Sequence, residues 1–97
     1  MITELLHTGR ENTQSAREIA AILGMDIRDV THQIEKERRA GQPICAATGR
    51  NPGYYLAADA AELRQYCDRL SNRGHEIFKT RGALIDTLRR LQTAKKT

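Results

Sequence analysis

Aromatic side chains are almost missing from these 97 residues: no Trp, one Phe (Phe78) and three Tyr. A core built from this chain rests on Leu, Ile and Ala, and a chain of this length supports one small domain, with room for an appendage. Long hydrophobic runs are missing too. No apolar stretch approaches the roughly 20 residues needed to cross a bilayer. The first residues, with Glu4 and His7 around Leu5-Leu6, lack the basic-then-apolar layout of a secretion signal. A soluble cytoplasmic protein is expected, with no membrane partner.

Cysteine is scarce and unpaired in spacing. Cys45 and Cys67 lie 22 positions apart, unlike a zinc or redox motif. Both thiols are expected to be reduced and to act as small structural hydrophobes. His7, His32 and His75 are equally scattered, so no metal site is expected. An excess of one charge is absent from most of the chain. The net charge is +4, yet residues 1–58 hold seven basic and seven acidic side chains, and the whole excess falls in residues 59–97. Only local charge placement can therefore speak for a nucleic-acid partner.

What is present is punctuation. Ile2, Leu5 and Leu6 predict a short opening helix stopped at Gly9. Arg10 to Gln14 is polar and extended in character, suited to a short strand. Ser15 with Glu18 forms a capping box. Ile19, Ala20, Ile22 and Leu23 then make an apolar stripe that ends at Gly24. Asp26 caps a second helix in which Ile27, Val30 and Ile34 face inward, while Arg28, Asp29, His32, Gln33, Lys36 and Arg39 face out. Beyond Gly41, Ile44 to Thr48 and Tyr54 to Leu56 predict two strands joined by Gly49-Arg-Asn-Pro-Gly53. Tyr54 and Leu56 share the inward face, with Tyr55 on the other.

Asp59 and Glu62 form another capping box. From there Leu63, Leu70, Ile77, Leu84 and Leu91 recur every seven residues, and Cys67, Gly74, Arg81 and Leu88 follow four positions after the first four. A seven-residue period predicts packing against another helix. Gly74 leaves open whether this arm is one helix or two.

Two capped helices meeting at a tight turn, followed by a glycine-tipped hairpin, is the order in which a winged helix-turn-helix offers one helix and one loop to duplex DNA. Leu23-Gly24, Val30, Ile34, Gly41, Ile44 and Gly53-Tyr54-Tyr55-Leu56 resemble the winged helix-turn-helix of the biotin operon repressor type. Small prophage-encoded regulators are also similar, including in the Pro43-Ile44-Cys45-Ala46 and Asn51-to-Leu56 stretches. The resemblance covers residues 15–56 and leaves no room for the repressor's enzymatic part. It implies a mainly α fold with a small β-wing, followed by a long C-terminal helix. It places Arg28, His32 and Gln33 at base edges or nearby phosphates, with Arg suited to guanine and Gln to adenine. Lys36 and Arg39 become phosphate anchors, and Arg50 a contact of the wing tip.

The expected organisation is a DNA-binding domain at 1–58 and a helical arm at 59–97. The arm pairs with a second copy through Ile77, Phe78, Leu84, Ile85, Leu88 and Leu91. The expected role is sequence-specific binding of double-stranded DNA by a homodimeric transcriptional regulator. A phage DNA-packaging or replication adaptor and a protein-interaction winged helix are the alternatives. Thr31, His32 and Glu35 form no catalytic set, Gly49 and Gly53 no phosphate loop. No enzyme activity, cofactor or small-molecule substrate is expected.

Overall fold

A computed structural model describes residues 1–95. The last two residues of the arm expected at 59–97 lie outside the described residues. The fold is mainly helical, with one small antiparallel sheet. Two 3-10 turns, Ile2–Glu4 and Arg10–Asn12, precede helices α1 (Ala16–Leu23) and α2 (Ile27–Arg39). Strands β1 (Ile44–Ala47) and β2 (Gly53–Leu56) follow, and then helix α3 (Ala60–Lys95). The chain forms two compact units, one from Met1 to Tyr66 and the other from Cys67 onward.

Local signals account for most boundaries in the first unit. The Ser15 hydroxyl accepts the Glu18 amide at 3.1 Å and starts α1. Gly24 ends it in the left-handed region, where a side chain is disfavoured. Asp26 stands at the N-cap position of α2 in extended backbone, but its side chain makes no capping bond. The box opening α3 is reciprocal: Asp59 Oδ1 accepts the Glu62 amide at 2.9 Å, and Glu62 Oε1 accepts the Ala58 amide at 3.1 Å.

The main core gathers Ile2, Leu6, Ile19, Ala20, Val30, Ile34 and Ile44, with Tyr54 and Leu56 packed against it. The shared inward face expected for Tyr54 and Leu56 is therefore present. Tyr55 points the other way, yet it is buried rather than wet. It forms a second cluster with Cys45, Ala47 and Tyr66, joined by Leu63. The first turns of α3 thus cover the far side of the hairpin.

Three expectations about apolar residues need correction. Ile22 and Leu23 do not join the buried stripe of α1, and Ile27 is 47 % exposed. On an eight-residue helix packed along one side, the burial of Ile19 and Ala20 leaves Ile22 on the flank. Ile27 is the first residue of α2, one turn before Val30, and the buried side of the helix is made by Val30, Ile34 and Glu37. Cys45 is packed as expected, but Cys67 is exposed.

The polar segment before α1 only partly becomes a strand. Thr8 and Gln14 form single bridges with Leu56 and Tyr54, and the Arg10–Asn12 turn separates them. Backbone bonds of 2.8–2.9 Å link Gly9 to Leu56, Leu56 to His7, and Gln14 to Tyr54 in both directions. The arm is one helix, with Gly74 inside it. No helix among the described residues is long and apolar enough to cross a membrane.

Candidate nucleic-acid interface

Helix α2 has a sharply divided surface. Val30, Ile34 and Glu37 are buried, at spacings of four and three that keep them on one side. At 100° per residue the opposite side carries Arg28, His32, Lys36 and Arg39, all exposed. Three cations and one imidazole thus share a face of a thirteen-residue helix. Glu35 lies at its margin and pairs with Arg38 at 3.4 Å and Arg39 at 3.8 Å. Asp29 is exposed near the N-terminal end of the same helix.

Gln33 does not belong with the others. It is half-buried, and its Nε2 donates to Glu37 Oε2 at 2.8 Å. One of its two N–H donors is thus engaged within the helix, in competition with contacts to bases. The expectation that Gln33 reads bases therefore meets a structural competitor.

Glu37 is the polar centre of this region and was not singled out by the sequence pattern. Its carboxylate is 3 % exposed and accepts four hydrogen bonds. These come from the Ile2 amide at 2.9 Å, the Thr3 amide at 2.8 Å, the Thr3 hydroxyl at 2.5 Å and Gln33. Burial pushes its pKa upward, but the bonds from Thr3, Gln33 and Ile2 outweigh that and hold it at about 2, against an ordinary 4.5. The charge fastens the N-terminal turn to α2, and α2's outward face is thereby fixed in orientation. The one available signal was its spacing, three residues after Ile34 and seven after Val30.

Arg38 is the second side chain that sequence reasoning missed. Its Nε donates to the Ile44 carbonyl at 2.9 Å and its Nη2 to the Tyr66 hydroxyl at 2.9 Å. The guanidinium carbon lies 5.7 Å from the Tyr54 ring centre and 5.2 Å from that of Tyr66, within cation–π range. It joins α2, both strands and the start of α3, and is a structural cation.

The hairpin presents Arg50 on an exposed loop between the strands, beside Asn51 at φ 53°. That loop is braced from below. The Thr13 hydroxyl donates to the Asn51 carbonyl at 2.8 Å, and Arg10 Nη2 reaches the Thr48 and Arg50 carbonyls at 3.5 Å. At its base Gly53 meets the backbone of Gln14 so closely that a Cβ would lie 2.5 Å from the Gln14 carbonyl oxygen.

In the unit from Cys67 onward, Ile77, Phe78, Leu84, Leu88 and Leu91 are exposed, and Ile85 is half-buried. Leu70 extends the same stripe, and Arg81 is exposed within it. No group of His, Cys, Asp and Glu among the described residues could hold a metal ion. No family model, curated protein or solved structure matches the chain.

Proposed function

We propose that this chain is a winged helix-turn-helix protein that binds duplex DNA in a sequence-specific way. In this reading it is a cytoplasmic transcriptional regulator of the kind phages and prophages encode, and it acts as a homodimer. The observation that carries the proposal is the exposed face of α2. Arg28, His32, Lys36 and Arg39 stand together on the side opposite the buried residues, after a tight turn at Gly24. Arg28, near the start of the helix, is suited to guanine, whereas Lys36 and Arg39, farther along, suit phosphates. Arg50 on the braced loop supplies a second, backbone-gripping contact.

The decisive experiment selects bound duplexes from a random pool and then measures affinity against salt. Binding is expected to weaken as salt rises, because each phosphate contact releases counterions. Lys36→Ala is expected to weaken all duplexes alike and lower the salt slope by about one unit. Arg28→Ala is expected to relax preference at one position, by about 1–3 kcal/mol. No duplex binding, or no effect of either substitution, overturns the assignment.

A protein-interaction module is the second reading. It is favoured by exposed Ile22, Leu23 and Ile27 around the turn, and by Asp29 and Glu35, which interrupt the positive face. A DNA-packaging or replication adaptor remains a variant of the first, distinguished by a ring-shaped assembly in place of a dimer.

A further inference from the structure

The exposed stripe of the arm has a directional pattern. In the seven-residue repeat, Leu70, Ile77, Leu84 and Leu91 form one seam, and Gly74, Arg81 and Leu88 the other. Phe78 and Ile85 follow Ile77 and Leu84 by one residue, so both flank the seam on the same side. Arg73, Thr80 and Thr87 occupy the other flank.

These positions pair very differently in the two possible orientations. In a parallel, in-register pair like meets like along the seam. Arg81 would then face the partner's Arg81 in an apolar layer, and Gly74 would face the partner's Gly74 across a void. The two flanks would cross, setting Phe78 against the partner's Arg73 and Ile85 against the partner's Thr80.

Reversing one helix removes each conflict. With the two-fold axis between Gly82 and Ala83, Ile77 packs on the partner's Leu88, and Gly74 receives the partner's Leu91. Arg81 lies against the partner's Leu84, where its stem can pack while the guanidinium reaches water. Like flanks now meet, so Phe78 sits beside the partner's Ile85 and Thr80 beside the partner's Thr87. The exposed fractions of Ile77, Phe78, Leu84, Leu88 and Leu91 amount to roughly 550 Å² per copy, so full covering in a pair buries at most about 1,100 Å², near the lower bound of a specific interface.

We infer that the arm is an antiparallel homodimerisation element, closed by Ile77, Phe78, Leu84, Ile85, Leu88 and Leu91 against the same face of a second copy. The inference rests on the self-association in the proposed function and is independent of DNA.

Cys67 supplies the test within the unaltered chain. It is exposed, while Cys45 is buried, so a thiol-directed nitroxide labels Cys67 alone. In the antiparallel pair the two labelled positions are separated by about 45 Å along the helices, at 1.5 Å per residue. In a parallel pair they lie side by side, with axes about 10 Å apart. Double electron–electron resonance is read together with mass from sedimentation equilibrium at tens of micromolar. A dimer with a distance near 45 Å is the expected result. A dimer with a short distance, or with a Cys67–Cys67 disulfide on mild oxidation, overturns the orientation and leaves self-association standing. A monomer overturns both, and a larger assembly overturns the two-fold pair.

Discussion

Glu37 shows how one side chain couples stability to acidity. Its pKa is held near 2 in the folded protein, below the ordinary 4.5. The bound form is therefore the ionised one, and its contribution is fully present above about pH 4.5. It is lost as pH falls from there toward 2. Glu37→Gln is expected to destabilise the protein at neutral pH by about 1.5–3 kcal/mol, the range for hydrogen bonds to a charged group. It is also expected to flatten the loss of stability between pH 4.5 and 2, measured by denaturant melts across that window. An unchanged acid profile would remove Glu37 from this role. Gly53 is constrained differently. Its φ is +148°, and the nearer obstacle is the backbone of Gln14 rather than the turn. Gly53→Val is expected to lower the melting temperature by several degrees or abolish folding, as overpacking against backbone has no flexible side chain to absorb it. A variant that melts with the unaltered chain would dispose of the close-approach argument.

Elements were legible where their signals are local. Ser15, Gly24, Asp59 and Glu62 mark ends that the chain itself specifies, and the structure places helix boundaries beside them. Side-chain alternation separated the two faces of β2 as Tyr54 with Leu56 and Tyr55 alone. What depended on partners distant in sequence was not legible. Whether Tyr55 faces water turns on the first turns of α3, and whether Ile27 is covered turns on how α1 meets α2. A buried carboxylate was hidden because Glu reads as a surface residue, and its donors, Ile2 and Thr3, lie more than thirty positions away. Arg38 was hidden for the same reason, since its aromatic neighbours come from β2 and α3. For the face of α2, periodicity located Arg28, His32, Lys36 and Arg39. It could not show that Gln33 is engaged by a neighbour one turn on.

For the whole molecule, the proposed activity joins two surfaces that the chain carries on separate units. Under that proposal a homodimer would bring two copies of the α2 face to one duplex, and its affinity would gain from linkage as well as from each contact. Leu84→Asp combined with Leu88→Asp is expected to give monomers by sedimentation and to weaken DNA binding by ten-fold or more. The unit from Met1 to Tyr66 is expected to retain its fold, because neither residue belongs to its clusters. Dimers persisting in that variant would exclude the stripe as the contact. Monomers that bind with undiminished affinity would separate DNA recognition from self-association.

The two bridges that Thr8 and Gln14 make to β2 also guard against a hazard of small sheets. One side of β2 is paired with β1, and the other is occupied by the segment that precedes α1. Without that segment the amide and carbonyl groups of Tyr54 and Leu56 would form an open strand edge, beside an apolar Tyr-Tyr-Leu sequence. Such an edge is a template for another chain. A form of the protein beginning at Ser15 loses Ile2 and Leu6 from the core as well as the cover of this edge, and is expected to aggregate at micromolar concentration, with thioflavin fluorescence, rather than scattering alone, reporting strand recruitment. The unaltered chain, mixed at the same concentration, is expected to stay clear. The N-terminal segment would in that case serve to keep β2 from recruiting strands of other molecules.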